Sequence, residues 1–349
     1  MSSPIIAQRS LGGDASHVKV GAVGYGAMML TWTAPENVAS DEDAFDAIKT
    51  AIDAGATFIN SGAFYGNSSD GGLDNLRLLN RFFQKYPEYV DTVVLSVKGG
   101  MKGGKLMQGP DSSEDNLRED LERIREALGP HKKVDLYEPA RVDPKLTIEE
   151  TMNNLVTLKN EGYFNSVGVQ HISLSEIAAS ALRKAHATHP VAAVEIELSL
   201  FGLEPEALDV LKVCDELDIA LVAYSPLGRG FLAGRYRSPD DLKDGDMRKM
   251  QPRFQGESFY LNLKVVDAVN EIAQRKGVTP AQLALAYIMG MSDKASLVSS
   301  RWLLCFVIPI PGSSSTTRTV ENIKAAGVTI SQKERNEIDE ILNKASPLL

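Results

Sequence analysis

The sequence predicts an α/β protein built as a closed (β/α)8 TIM barrel. Three observations predict it. Short β-branched runs alternate with helical patterns along nearly the whole chain, which implies a parallel sheet. The runs are apolar at successive positions, as strands enclosed by helices require. Around eight strand–helix units fit the 349 residues, and roughly 250 residues plus insertions is usual for such a barrel. An open, doubly wound sheet is the other arrangement these patterns allow.

The expected strands are Val18–Val23, Thr57–Asn60, Val93–Lys98, Val134–Tyr137, Val167–Gln170, Ala193–Leu198, Ile219–Ser225 and Phe306–Pro309. Helices fill the intervals. Ser40 offers a cap, Asp41, Glu42 and Asp43 an acidic first turn, and apolar spacing of three to four follows. Thr147 and Ser173 open further helices in the same way. Gly55 and Gly162 mark helix ends. No Pro/Gly/Ser-rich linker, repeat or low-complexity tract divides the chain, so residues 1–349 read as a single domain.

Composition narrows the function. The formal net charge is −9 and 24% of residues are charged. That argues against a nucleic-acid binder and against a polybasic membrane anchor. The N-terminus lacks the apolar run of a signal peptide. No stretch approaches the roughly 20 apolar residues of a membrane span. The expected location is the cytoplasm. Five histidines form no zinc pattern, and the two cysteines, Cys214 and Cys305, have neither metal nor redox spacing. No metal is expected. His186 and His189, three apart near a helix end, suit a solvated or capping role.

In a barrel, chemistry gathers at the C-terminal ends of the strands. Tyr65 and Lys98 lie at such ends, as does the run Tyr224-Ser225-Pro226-Leu227-Gly228. The barrel brings all three to one face. A cation near a phenol favours its ionised form, so Tyr65 and Lys98 together make a usable proton donor. Each residue also has a plain structural explanation. A strand-end tyrosine often only packs, and a lone lysine is usually solvated. Gly24-x-Gly26 lacks the third glycine of a dinucleotide fingerprint, and such glycines can simply make a turn.

These segments, with Gly24-Tyr25-Gly26-Ala27-Met28, Val167-Gly168-Val169 and Ile310-Pro311-Gly312-Ser313 followed by Arg318, Glu321 and Asn322, resemble the aldo-keto reductases. The wording Glu138-Pro139-Ala140-Arg141-Val142-Asp143 and Val194-Glu195-Ile196-Glu197-Leu198-Ser199 is similar to the fungal pyridoxal reductase branch. The resemblance implies reduction of an aldehyde, pyridoxal favoured, to its alcohol with NADPH (NADP+ when oxidised). Tyr65 would donate the proton and Lys98 would lower its pKa. Tyr224 would stack on the nicotinamide, while Gln170 and Glu195 would bind its carboxamide. Gly26, Ala27, Met28, Ser225, Pro226, Leu227, Gly228, Gly312 and Ser313 would line the cofactor. Arg318 would meet the 2′-phosphate, and Glu321 and Asn322 the adenine. Trp32, Phe64 and Arg141 would shape the substrate pocket.

The chain departs from the family pattern at four places. Asn60 stands where the family usually has the aspartate that pairs with the lysine. The expectation is that Asn60 still positions Lys98, with a somewhat lowered lysine pKa. Ala140 stands where a histidine often orients the carbonyl, with Arg141 or His171 as replacements. Ser315 occupies a position that is basic in many NADPH-using relatives. Residues 295–305 form an apolar insertion, read either as a retained intron or as a genuine membrane- or partner-facing loop. Two rivals follow. One is a reductase of another aldehyde or ketone. The other is a non-catalytic cofactor-binding barrel resembling the β-subunits of potassium channels. An aldolase using Lys98 as a Schiff base leaves Tyr224 and Arg318 unexplained.

Overall fold

The computed structural model describes residues 6–164, 171–175, 178–242, 246–292 and 307–345. The chain opens with an antiparallel hairpin, β1 (Gln8–Ser10) and β2 (Lys19–Gly21). The barrel strands follow: β3 (Tyr25–Gly26), β4 (Phe58–Gly62), β5 (Val94–Gly99), β6 (Leu136–Pro139), β7 (His171–Ser175), β8 (Ala193–Glu197), β9 (Ala220–Tyr224) and β10 (Val307–Pro309). Their spatial order is their chain order, and every neighbouring pair is parallel. The ring is completed where the Gly24 N–H donates to the Pro309 carbonyl at 2.9 Å. The (β/α)8 expectation therefore holds.

Helices α1 (Asp41–Asp53), α2 (Asp74–Lys85), α3 (Glu114–Leu128), α4 (Ile148–Asn160), α5 (Ala179–Thr188) and α6 (Pro205–Leu217) follow β3 through β8 in turn. After β9 come α7 (Gly256–Lys276) and α8 (Pro280–Met289). After β10 come α9 (Thr316–Lys324) and α10 (Gln332–Ala345). The Ser40 side chain caps α1 by accepting the Asp43 N–H, and Thr147 and Glu150 form a capping box on α4. No helix among the described residues is long and apolar enough to cross a membrane.

The strands obey a period of two. Ile59, Leu95, Val97, Tyr137, Val194, Ile196, Leu221, Ala223 and Val307 pack outward in the cluster shared with the helices. Phe58, Leu136, Ala193, Ala220, Val222 and Ile308 form a second cluster together with Leu11, Ala15 and Val20 of the hairpin segment. The hairpin therefore plugs one end of the barrel. The Gly12 N–H donates to the Ala192 carbonyl just ahead of β8, and the Gly21 N–H to Thr57 Oγ1 just ahead of β4. The plugged end is the N-terminal one, which leaves the C-terminal mouth for chemistry.

Two expected elements are corrected. The run Val18–Val23 contributes an arm of the plug, and the first barrel strand is the two-residue β3. The β-branched pattern is the same in either setting, so it cannot separate them. Ser173 does not open a helix. His171–Ser175 is a strand, and its alternating polar and apolar residues satisfy strand pairing as well as capping. The expected strand Val167–Gln170 and the insertion at 295–305 lie outside the described residues.

Candidate active site

The site is built from inward positions of adjacent strands. Phe58, Asn60 and Gly62 pair with Val94, Ser96 and Lys98 respectively, and Lys98 pairs with Glu138. One step above the apolar layer lies a polar one: Asn60, Ser96, Glu138 and Glu195, all within 2% of full burial. Lys98 and Tyr65 sit above it, each 6% exposed.

Lys98 Nζ donates to the Tyr65 hydroxyl at 2.9 Å and to Asn60 Oδ1 at 2.8 Å. It also makes a buried ion pair with Glu195 Oε1. Asn60 Nδ2 donates to Glu195 Oε2 at 2.7 Å and to Glu138 Oε1 at 3.2 Å. Ser96 Oγ donates to the same Glu138 oxygen at 3.2 Å. One ammonium thus faces two carboxyl groups, with the Asn60 amide between them.

Burial by itself pushes the Lys98 ammonium toward neutrality. The charges of Glu195, Tyr65 and Glu138 more than offset this, and its pKa ends above the ordinary lysine value. The expected lowering is corrected: the carboxylate missing at position 60 is supplied from β8. Burial, the Glu138 charge and a hydrogen bond with Glu138 hold the Glu195 carboxyl far above the carboxylate range, against the pull of Lys98. Burial raises the Tyr65 phenol, Lys98 pulls it down, and Glu195 adds to the rise. Its net pKa lies above the ordinary tyrosine value.

Tyr65 is fixed from several sides. Its ring lies over Gly62, where an added Cβ would meet ring carbons at 3.1 Å. Its carbonyl accepts from Thr31 Oγ1 at 2.8 Å. Buried Asn75, from α2, donates to Thr31 Oγ1 at 2.8 Å and to the Ala27 carbonyl at 2.9 Å, and accepts from Ser61 Oγ at 2.6 Å. Trp32 stacks on Tyr65 with centroids 5.6 Å apart, and Phe64 meets both rings edge-on. Met101 and Ala140 complete this apolar wall, with Met28 and Leu106 at its edge. Arg141 is exposed and donates to the Ala140 carbonyl at 2.6 Å. The expected substrate residues Trp32 and Phe64 therefore sit beside Tyr65, with Arg141 at the rim.

The expected cofactor residues fall into two groups. Gly26 and Gly312 meet at the barrel seam. A Cβ on Gly26 would lie 2.7 Å from the Ile310 carbonyl oxygen, and one on Gly312 would lie 2.7 Å from the Gly26 carbonyl oxygen. The Ala27 N–H donates to the Asn60 carbonyl at 2.9 Å, which sets Ala27 and Met28 beside the polar layer. Tyr224 ends β9, half-buried, and Ser225, Pro226, Leu227 and Gly228 turn away from it. The Ser225 carbonyl accepts the Gly228 N–H at 2.9 Å, with Ser225 at φ 49°. Glu195, expected at the carboxamide, is committed to Lys98 and Asn60. Gln170 lies outside the described residues.

Beyond β10, the Tyr25 hydroxyl donates to the Ser313 carbonyl at 2.5 Å. Ser315 caps α9, and Arg318 Nε donates to Ser313 Oγ at 3.3 Å. Burial and the nearby positive charge of Arg235 both weaken the hold of Arg318 on its proton. Arg318 forms no ion pair among the described residues. A half-buried guanidinium beside a second cation and a capped helix N-terminus fits a phosphate group. Glu321 and buried Asn322 follow on α9. The donor set suits a phosphorylated dinucleotide.

Glu138, Ser96, Asn75 and Met101 were not expected as site residues. Counting back by two from Ala140 and from Lys98 along their strands would have found the first two.

Comparison with known proteins agrees with this geometry. The aldo/keto reductase family pattern matches residues 22–343. A probable pyridoxal reductase 2 of Schizosaccharomyces pombe is 34% identical over 333 residues, 93% of this chain and 92% of that protein. An aldo-keto reductase of the same yeast, named for NADP(+), is 34% identical over 97% of this chain and 92% of its own length. A putative pyridoxal reductase of Saccharomyces cerevisiae is 32% identical over 91% of this chain and 92% of that protein. The glycerol dehydrogenase of Gluconobacter oxydans shares the fold, with a TM-score of 0.78 at 19% identity over 97% of this chain and 96% of that one. The chain belongs to the aldo/keto reductase family, an oxidoreductase family that uses NADP(H).

Proposed function

We propose that this protein reduces an aldehyde to the primary alcohol with NADPH, and that pyridoxal is its favoured substrate. The observation that carries the reading is the buried contact of Lys98 Nζ with the Tyr65 hydroxyl at 2.9 Å. NADPH, when bound, supplies the hydride. The chain supplies the rest. The Tyr65 hydroxyl donates its proton to the carbonyl oxygen as negative charge develops there. The Lys98 ammonium then stabilises the phenolate left on Tyr65. Trp32, Phe64 and Met101 exclude water and suit a flat aromatic ring. The names of the two yeast relatives support pyridoxal among such rings. The proposed setting is the cytoplasm, in one barrel domain, with a small diffusible carbonyl as substrate.

The non-catalytic reading drew its weight from Asn60 and Ala140. The ion pair of Lys98 with Glu195 removes the first of these. The test is an NADPH-oxidation assay over a set of aldehydes that includes pyridoxal, with Tyr65→Phe as control. Turnover of pyridoxal that the control loses supports the reading. Equal rates in both proteins would overturn it.

A further inference from the structure

A charge has changed address inside this barrel. Where the family pattern has an aspartate at residue 60, this chain has an amide, and the strand-borne carboxylate that meets Lys98 comes from Glu195 on β8. Asn60 is suited to the new arrangement by its chemistry. Its oxygen accepts from Lys98, and its two N–H groups are divided between Glu195 and Glu138. An aspartate at that position could make neither donation. It would put a third carboxyl group within reach of one ammonium, in a layer that water does not enter.

We propose that Glu195, bridged to Glu138 through the Asn60 amide, is the positioning residue that holds Lys98 in place beneath Tyr65, and that residues 60 and 195 therefore act as one exchangeable unit. Glu195 contacts Lys98 and Asn60, and among the described residues no hydrogen bond joins it to the Tyr65 hydroxyl. It acts through Lys98. The consequence is a coupling between two strands on different sides of the ring: an acid is tolerated at 60 only when the acid at 195 is withdrawn. This inference rests on the Tyr65–Lys98 couple being the working pair of a reductase.

The experiment compares the intact wild-type protein with Asn60→Asp, Glu195→Gln and the double variant Asn60→Asp/Glu195→Gln. Thermal unfolding midpoints are measured for all four, and kcat and KM for NADPH and pyridoxal. Asn60→Asp is expected to lower the midpoint by several degrees, and Glu195→Gln to lower kcat at least about tenfold while KM for NADPH stays within about twofold. The double variant is expected to recover both the midpoint and most of the lost kcat. Additive losses in the double variant overturn the proposal. So does a rise in KM for NADPH at unchanged kcat in Glu195→Gln, which would make Glu195 a cofactor contact. A recovered midpoint without recovered kcat also overturns it, since the pair would then serve only the fold. If the wild type turns over no aldehyde while the midpoints couple, it is the reductase reading that fails, and the unfolding data still decide the pairing of 60 with 195.

Discussion

The indole of Trp32 lies nearly parallel to the phenol ring of Tyr65, with centroids 5.6 Å apart and planes 25° from each other. Tyr65, the proposed proton donor, is therefore roofed by an aromatic surface that a flat substrate ring would meet first. An aromatic contact of this kind contributes about 0.5–1.5 kcal/mol. Trp32→Ala is expected to raise KM for pyridoxal about three- to tenfold and to leave kcat for a short aliphatic aldehyde nearly unchanged. Steady-state kinetics with both substrates checks this.

Tyr65 and Lys98 differ in what their loss does to the fold. Tyr65→Phe removes a hydroxyl and keeps the ring over Gly62. It should lower kcat by about 10²–10⁴-fold with little change in unfolding temperature. Lys98→Met leaves Glu195 and Glu138 without their cation. Breaking such a buried pair costs about 3–5 kcal/mol, so this variant should lose activity and stability together. Parallel activity and thermal-unfolding measurements separate the two.

The pH dependence follows from the direction of the Tyr65 shift. Reduction starts from the protonated phenol, and burial holds that phenol above the ordinary value of about 10. Lys98 stays charged over the same range. The kcat/KM for reduction should therefore be flat from about pH 6 to about pH 9. Oxidation of the alcohol starts from the phenolate and should rise with pH across that interval. A falling limb centred near neutrality in the reductive profile would count against Tyr65 as the acid.

Arg318 is the cation proposed to meet a 2′-phosphate. Charge-assisted hydrogen bonds contribute about 1.5–3 kcal/mol each. Arg318→Met should weaken NADPH binding about ten- to a hundredfold and leave NADH binding almost as it was. Fluorescence titration with the two nucleotides tests the difference.

Glu334 offers a test of stability remote from the site. Lys276 Nζ lies 2.9 Å from its Oε1, and the Ser331 N–H and hydroxyl each donate to its Oε2 at 2.7 Å. The Lys276 ammonium and the Ser331 hydrogen bonds lower its pKa from 4.5 to about 2. The folded-state value is depressed, so its stabilisation is complete above about pH 4.5 and is lost as pH falls toward 2. Glu334→Gln should lower the unfolding temperature at pH 6, and the gap between variant and wild type should close near pH 2. The contact joins the start of α10 to the end of α7.

The legible parts of this protein are those where a polar residue interrupts an apolar strand near its end. Lys98 and Tyr224 stand out in that way, Tyr65 follows the end of β4 by three residues, and the barrel supplies the reason they share a mouth. Glu138 is inward by the period of two counted back from Ala140, but its neighbours Tyr137 and Pro139 do not mark it by polarity. Asn60 alone reads as a loss of charge, because nothing on its own strand replaces the carboxylate. The replacement charge sits 135 residues later in the chain, and only closure of the ring brings it back. Strand β3 escaped detection for a simpler reason: two residues, one of them glycine, carry no period at all. The run Val18–Val23 reads as a barrel strand because, as the second arm of the hairpin, it buries apolar residues against the barrel floor.

The seam between β3 and β10 carries a consequence for how the protein comes into being. Tyr25 and Ser313, joined by a hydrogen bond, are 288 residues apart in sequence. Both halves of the proposed nucleotide-binding surface, Gly26–Met28 and Gly312–Arg318, flank that seam. A nascent chain that has emerged only through β9 already holds Tyr65, Lys98, Asn60 and Glu195, yet lacks the strand that fixes the nucleotide's place. On the proposed site, nucleotide affinity is expected to arise late in biosynthesis, reporting arrival of the final strand more directly than the Tyr65–Lys98 contact does.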